Sequence, residues 1–225
     1  MHRRLFLFAL APMGLASCSL ASKVNPFVDK SKEPVVSETQ KKRGYVNLFP
    51  KDNFDHWVIM GDPAGWSIQD GLVRSEGGKG GNWIRSKKEY KDFILKLDYR
   101  VSAGGNSGVF IRALAEGEPW VTGHECQISN EQPPRDSLHC TGTLYGNVPV
   151  KIRPDESPDV WHTYEIRCVK NRITVLVDGK KTVDVDQEAI DAIKDKPLSG
   201  FVGLQDSHTA EGYWVEFRNV IIREL

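Results

Sequence analysis

The stretch Phe93-Ile94-Leu95-Lys96-Leu97-Asp98-Tyr99-Arg100-Val101 alternates in character with a period of two. Its odd-numbered positions are all large and apolar, while Lys, Asp and Arg occupy three of the four even-numbered positions. Successive side chains of a β-strand point to opposite faces of a sheet, so this pattern predicts a strand with one buried face and one polar face.

The same period recurs on both sides of this stretch, interrupted by Asp-Gly pairs. Asp70-Gly71 separates residues 66–69 from 72–75, and Asp178-Gly179 separates residues 173–177 from 181–185. Asp-Gly suits a two-residue hairpin turn of type I′, in which both central residues have positive φ. Further strands are predicted at 161–170, 200–205 and 213–222, with one short helix at 187–194. Many short strands and almost no helix predict an all-β, two-sheet antiparallel sandwich.

The first eighteen residues carry a secretion signal. Arg3 and Arg4 precede an apolar run from Leu5 to Leu15, which is too short to span a bilayer at about 20 residues. The run ends in Leu15-Ala16-Ser17-Cys18, which resembles the lipobox of bacterial lipoproteins, where the cysteine is diacylated after cleavage. We therefore expect a signal peptide over 1–17 and a lipid anchor on Cys18 in the cell envelope. Ser19 is typical of an outer-membrane destination. A plain secretory signal with an incidental cysteine is the alternative.

A tether is expected to follow the anchor. Residues 18–43 are rich in Ser, Lys, Glu and Pro and show no sustained periodicity, which is typical of a flexible coil. The period of two begins at Tyr45. The sequence therefore predicts one folded domain over 44–225.

Charge and cysteine content limit the partners and the disulfides. Thirty basic and thirty acidic residues leave no net charge, so the chain lacks the positive field that attracts nucleic acid. With lipid on Cys18, three cysteines remain: Cys126, Cys140 and Cys168. At most one internal disulfide can form, and buried free thiols are equally compatible with the sequence.

Eight blocks occur in the order seen in one known family. They are YVNLF at 45–49, WSIQDGL at 66–72, EYKDF at 89–93, GNSGVFIR at 105–112, ECQI at 125–128, TGTLYG at 141–146, GLQD at 203–206 and VEFRNV at 215–220. In these blocks the chain resembles the 3-keto-disaccharide hydrolase domain family, over residues 44–225. The resemblance implies a concanavalin-like jelly roll, related to laminin G modules, and an extracytoplasmic enzyme that acts on glycosides oxidised at C3.

A ketone at C3 changes what such an enzyme must supply. It makes the hydrogen on C2 acidic, so the site needs a base near C2, a group that stabilises the C3 oxygen and a proton donor for the departing C1 oxygen. Elimination followed by hydration then gives a net hydrolysis, without the paired carboxylates of an ordinary glycosidase. The chain has no dinucleotide-binding fingerprint, so a separate sugar 3-dehydrogenase must make the substrate.

Three residues are the candidate catalytic groups. Glu125 lies two residues from Gln127 and so shares its strand face, opposite Cys126; it is the candidate acid or base, and an ordinary solvated strand face is the alternative. Arg112 is expected to steady the enolate through its fork of donors, with a surface ion pair as its alternative. His208 is a candidate acid or base near neutral pH. Family members commonly carry histidine directly after the Gln-Asp pair, whereas Ser207 intervenes here.

Five residues are expected to bind substrate. Tyr145 offers an aromatic face for stacking on a sugar ring, although an isolated aromatic residue often belongs to a core. Asn106 lies in a glycine-rich loop, and Gln205 and Asp206 end a strand, from which polar side chains reach a rim. The set is Asn106, Gln127, Tyr145, Gln205 and Asp206.

The sequence leaves the metal and the basic class of function open. Glu125, Asp206, His208 and His139 together could hold a divalent cation, but their spacing forms no metal motif. A non-catalytic carbohydrate-binding module of the laminin G type is the alternative to an enzyme, because fold does not fix function. An enzyme requires its polar side chains to converge on one pocket that contains a titratable group.

Overall fold

Two antiparallel β-sheets pack against each other in the computed structural model, which describes residues 36–225. The expected signal peptide, Cys18 and most of the expected tether lie outside the described residues. The strands of the larger sheet are β1 (Val46–Asn47), β3 (Trp66–Gln69), β4 (Leu72–Glu76), β6 (Phe93–Val101), β9 (His162–Val169), β10 (Arg172–Val177), β11 (Lys180–Asp186) and β13 (Trp214–Glu224). Those of the smaller sheet are β2 (Trp57–Ile59), β5 (Trp83–Tyr90), β7 (Asn106–Ala113), β8 (His124–Ser129) and β12 (Gly200–Gln205).

The order of the strands places distant parts of the chain side by side. The larger sheet runs β11-β10-β9-β6-β13-β4-β3, with β1 paired to β13, and the smaller sheet runs β2-β5-β12-β7-β8. One hydrophobic core fills the space between the sheets and includes residues from both. The predicted all-β, two-sheet antiparallel sandwich is confirmed.

The alternating stretch Phe93–Val101 is strand β6, with the predicted bounds and parity. All its odd-numbered side chains are buried, and none of its even-numbered ones is. The hairpin turns are confirmed as well. Asp70 and Gly71 have φ of +52° and +74°, and Asp178 and Gly179 have φ of +49° and +73°, as a type I′ turn requires.

The helix expected at 187–194 is wrong. A 3-10 turn spans only Gln187–Ala189, and the Asp186 side chain caps it by accepting a hydrogen bond from the Glu188 N–H. The backbone of Ile190 is already extended. Gln187 and Ile193 are both buried. Six residues apart, they would lie about 120° apart around an α-helix, so a helix could not turn both side chains toward the same interior.

Within residues 36–225, two short α-helices occur where the sequence predicts none. Helix α1 (Glu38–Lys42) begins with a capping box in which Ser37 and Gln40 exchange side-chain to backbone hydrogen bonds. It lies within the segment expected to be a tether, and Val36 before it is buried with Tyr45 and Ile221. The folded part therefore begins before residue 44. Helix α2 (Pro119–Thr122) precedes β8.

Two open questions are answered by the described part of the chain. Cys126, Cys140 and Cys168 are all buried free thiols, so no disulfide joins them. Between residues 36 and 225, no helix is both long and apolar enough to cross a membrane.

Candidate active site

Several polar residues of the smaller sheet, among them Glu125, Gln127 and Gln205, lie on the face turned away from the core. Gly203 of β12 pairs with Arg85 of β5 and with Phe110 of β7, and Phe110 in turn pairs with Glu125 of β8. A second row is offset by two residues, which keeps it on the same face. We call this surface the site face; it comprises Trp83, Arg85, Gly108, Phe110, Glu125, Gln127, Gly203 and Gln205.

The site face is recessed rather than solvated. Glu125 is 5% exposed and Gln127 is 1% exposed, although their neighbours Cys126 and Ile128 are the ones that point into the core. The predicted parity of β8 is therefore confirmed, whereas the alternative of an ordinary solvated strand face does not hold. Trp83 and Phe110 are buried beside them, edge to face, with ring centroids 5.3 Å apart.

Two glycines make room for side chains that lie flat across the sheet. A Cβ atom on Gly108 would lie 2.6 Å from Oε1 of Glu125, and one on Gly203 would lie 2.5 Å from the indole of Trp83. A glycine within a strand often marks such a close approach. Gly108 therefore allows the Glu125 carboxyl group to lean over β7.

Burial makes the Glu125 carboxyl group a weaker acid than an ordinary glutamate. Loss of hydration raises the pKa of Glu125 from its ordinary value to about 8, against the opposing effect of the Arg135 charge. No group of residues 36–225 donates a hydrogen bond to this carboxylate. A carboxyl group with a pKa near the working pH and with free oxygens can exchange a proton with a substrate.

A loop segment adds Tyr145 beside Glu125. Leu144 forms a bridge to Cys126 at the free edge of β8, and the Tyr145 N–H donates to the Glu125 carbonyl oxygen at 2.9 Å. Side chains that are directly opposed across such a pair share a face, with Cβ atoms about 5 Å apart. Tyr145 is half-buried. The sheet is thus extended by one aromatic side chain next to the carboxyl group.

Two residues that the sequence analysis missed connect the predicted ones. Glu131 accepts hydrogen bonds from Asn106 Nδ2 at 2.8 Å and from Arg135 Nη2 at 2.9 Å, and Arg135 Nη1 donates to the Tyr145 hydroxyl at 3.3 Å. Burial opposes ionisation of Glu131, but the Arg135 hydrogen bond and charge lower its pKa overall. Both residues lie outside the regular strands and belong to no motif, so the sequence carried no signal for them.

Arg112 does not belong to the site face, which corrects its predicted role. Its φ of +53° and the shifted register beside it break the alternation of β7. The fully buried guanidinium donates to the carbonyl oxygens of Lys91 at 2.9 Å and Lys170 at 2.8 Å, and lies 3.6 Å from Asp92. Arg112 therefore ties two β-turns together, and it is neither an enolate-stabilising group nor a surface ion pair.

Asp206 and His208 line a cleft whose lining does not include Glu125. Asp206 follows Gln205 directly and so points to the opposite face, where its Oδ2 accepts from the Asn82 N–H at 2.8 Å. Burial raises its pKa. These two residues line a cleft of about 330 Å³ with Gly78, Gly80, Ser207 and Thr209, none of which belongs to the site face. Asp206 therefore does not share the site face with Glu125, which corrects its predicted place there, whereas the role of His208, whose N–H donates to the Asn106 carbonyl oxygen at 2.9 Å, stays a prediction.

The four candidate metal ligands do not form one group in the described part of the chain. Glu125 lies on the site face, Asp206 and His208 line the other cleft, and His139 is bonded to Asp136 at 2.8 Å. Within residues 36–225, no three His, Cys, Asp or Glu side chains are grouped as a metal site.

Comparison with known proteins identifies relatives of this chain. A sequence model of the 3-keto-alpha-glucoside-1,2-lyase-like domain matches residues 44–223. A 3-keto-disaccharide hydrolase of Bacteroides thetaiotaomicron is 26% identical over 236 aligned positions, which cover 81% of this chain and 79% of that protein.

Solved structures show the same fold. A candidate glycosyl hydrolase from Parabacteroides distasonis superposes with a TM-score of 0.71 at 24% identity, covering 80% of this chain and 99% of its own. The Bacillus licheniformis β-glucanase superposes with a TM-score of 0.51 at 15% identity, covering 81% of this chain and 98% of its own. At these identities the likeness concerns the sandwich and not the reaction.

Proposed function

This chain belongs to the 3-keto-alpha-glucoside-1,2-lyase-like domain family, and from that premise we propose that it cleaves the glycosidic bond of 3-keto-glycosides on its site face. The observation that carries the proposal is Glu125: a buried carboxyl group, unbonded within residues 36–225, with its pKa raised to about 8. A pure binding surface has no need of such a group, because an unpaired buried carboxylate is unfavourable for stability.

Glu125 acts on the hydrogen at C2 in this proposal. In its ionised form the carboxylate takes that proton, and the electron pair of the C–H bond forms an enolate with the C3 oxygen. Collapse of the enolate expels the C1 oxygen and gives an unsaturated ketone. The water that enters exchanges with the proton on Glu125 and adds at C1, while Glu125 gives a proton to C2, which completes a net hydrolysis. The raised pKa makes Glu125 a stronger base than an ordinary carboxylate.

Gln127 and Gln205 are the donors available for the C3 oxygen. The Gln127 Oε1 accepts from the Ile128 N–H at 3.1 Å, so its amino group is the end left for a ligand. Gln205 lies on β12 in the same row of side chains as Trp83. Fixed amide donors aimed at developing negative charge lower the barrier of an enolate-forming step. Trp83 and Phe110 form the apolar base of the site face, where Met60 and Trp120 pack against them.

The direct test of this role replaces one carboxylate oxygen of Glu125 with an amide nitrogen. Glu125→Gln keeps the size of the side chain and removes its ionisation, so we expect release of 3-keto-glucose from 3-keto-glucosides to fall by about 10²-fold or more. Glu118→Gln is the matched control, because Glu118 is exposed and makes no capping hydrogen bond. A Glu125→Gln protein that melts normally and keeps full activity would reject the proposed role.

The alternative of a carbohydrate-binding module makes the opposite prediction in the same experiment. A binding module would retain 3-keto-glucosides without releasing any product, and Glu125→Gln would alter only affinity. Product release by the unmodified protein separates the two functions.

We also propose that the enzyme works at the bacterial cell envelope. The support is the sequence of residues 1–18, which predicts a diacyl anchor on Cys18, and Ser19, which is typical of the outer membrane. The oxidised substrate would come from a separate sugar 3-dehydrogenase, because the proposed reaction starts from a ketone that it cannot generate.

A further inference from the structure

The proposed reaction moves two protons, and the site face supplies one carboxyl group. Glu125 handles the proton on C2, which leaves the departing C1 oxygen without a donor. A sugar alkoxide is a poor leaving group, so general acid catalysis at this oxygen matters to the rate. The second proton carrier should stand beside Glu125 without being bonded to it.

Tyr145 meets this requirement by its position. Its backbone N–H bonds to the Glu125 carbonyl oxygen at 2.9 Å, which sets the two side chains next to each other on the same face. No hydrogen bond joins the Tyr145 hydroxyl to the Glu125 carboxyl group, and the latter leans the other way, over Gly108. The two groups can therefore contact different atoms of one sugar.

The partners of the Tyr145 hydroxyl determine where its proton points. Arg135 Nη1 donates to the hydroxyl oxygen at 3.3 Å, so the oxygen acts as an acceptor there and its own O–H remains available for a ligand. The guanidinium is held in place by Glu131, which accepts from Arg135 and from Asn106. His139 meets the ring edge to face at a centroid distance of 5.0 Å, and bonds to Asp136 rather than to the hydroxyl.

We propose that Tyr145 is a catalytic residue that protonates the departing C1 oxygen, an inference that rests on the proposed function. The C1–O1 bond breaks with its electron pair going to O1, and O1 takes the hydroxyl proton of Tyr145. The resulting tyrosinate is stabilised by the Arg135 charge. In the hydration step, water gives its hydroxyl group to C1 and its proton to the tyrosinate, while Glu125 returns its proton to C2. Both residues then regain their starting states.

The test compares leaving groups. Tyr145→Phe removes only the hydroxyl, and two substrates share the 3-keto-glucose part: 3-keto-trehalose, with a sugar as leaving group, and 4-nitrophenyl 3-keto-glucoside, whose leaving group departs without a proton. We expect kcat/KM to fall by about 10² to 10⁴-fold for the disaccharide and by less than about tenfold for the nitrophenyl compound. Tyr45→Phe is the control, because Tyr45 packs with Val36 and Ile221 away from the site face.

Each outcome decides the inference. Equal losses for both substrates, or no loss for the disaccharide, would overturn the role of Tyr145, whereas a wild-type protein that cleaves neither substrate would overturn the proposed function itself. If Tyr145→Phe fails to fold, the wild-type protein can be tested alone with a series of phenyl leaving groups. A steep dependence of kcat on leaving-group acidity contradicts a proton donor, and a flat one supports it when deuterium at C2 of the substrate does not slow the reaction, because expulsion of the leaving group then limits the rate.

Discussion

In the proposed reaction, one residue, Glu125, determines how the rate depends on pH. Because burial raises its pKa to about 8, most of the free enzyme carries a protonated, inactive base at pH 7. We expect kcat/KM for a 3-keto-glucoside to increase with pH and to level off above about pH 8. Initial rates from pH 5.5 to 9.5 at constant ionic strength measure this. A profile that falls through pH 8 would instead assign Glu125 the role of acid.

Single residues also mark the limit of what the sequence can predict. The position of Glu125 on the site face was accessible from strand parity, and the position of Gln127 followed from the same parity. The buried position of Arg112 could not be predicted, because its positive φ breaks the alternation of β7 on which the prediction relied. The predicted place of Asp206 beside Glu125 was wrong for the converse reason, because strand alternation does hold there. Asp206 follows Gln205 by one position and therefore points to the opposite face.

At the scale of elements, a bond across the sandwich fixes the edge of the site. The Tyr164 hydroxyl of β9 donates to the Gln127 carbonyl oxygen of β8, and it accepts from the Gly142 N–H at 2.9 Å. It thereby links β8 to the segment that carries Tyr145. Thr182 Oγ1 donates to the Gly142 carbonyl oxygen at 2.8 Å and holds the same segment from β11.

Removing that hydroxyl tests its contribution. Tyr164→Phe removes both hydrogen bonds of this hydroxyl, while the Gly142 N–H keeps its bond to the Gln127 carbonyl oxygen at 2.9 Å, so we expect the free energy of unfolding to fall by about 0.5 to 1.5 kcal/mol. Denaturant unfolding measures the change. Tyr99→Phe is the matched control, because Tyr99 is equally buried and its hydroxyl has no partner within residues 36–225. Equal effects of the two substitutions would contradict the role given to the Tyr164 bond.

The elements themselves were largely predictable, for identifiable reasons. Alternation in β6 and the Asp-Gly pairs are local signals, so their strands and turns followed from the sequence. Helix α1 and the turn after β11 were missed because side chains from distant strands decide them: Val36 packs on Ile221, and Gln187 donates to the Lys196 carbonyl oxygen. Tertiary contacts of this kind leave no periodic signal.

At the scale of the whole molecule, the expected lipid anchor predicts where the protein resides. Cys18→Ser removes the acyl acceptor, so we expect the protein to move from the membrane fraction to the soluble envelope fraction while retaining the activity of the folded part. Fractionation of cells that express the full chain, followed by immunoblotting, measures this. A plain secretory signal would instead leave the distribution unchanged by the substitution.

In the proposed reaction, cleavage begins with removal of the proton on C2 next to a C3 ketone. The most direct measurement is the reaction of 3-keto-trehalose with the protein in deuterium oxide, analysed by mass spectrometry and NMR at early times. We predict release of 3-keto-glucose that carries deuterium at C2, above the slow exchange of the free product incubated alone. Release of a product that keeps its original hydrogen at C2, or binding without any release, would contradict the account.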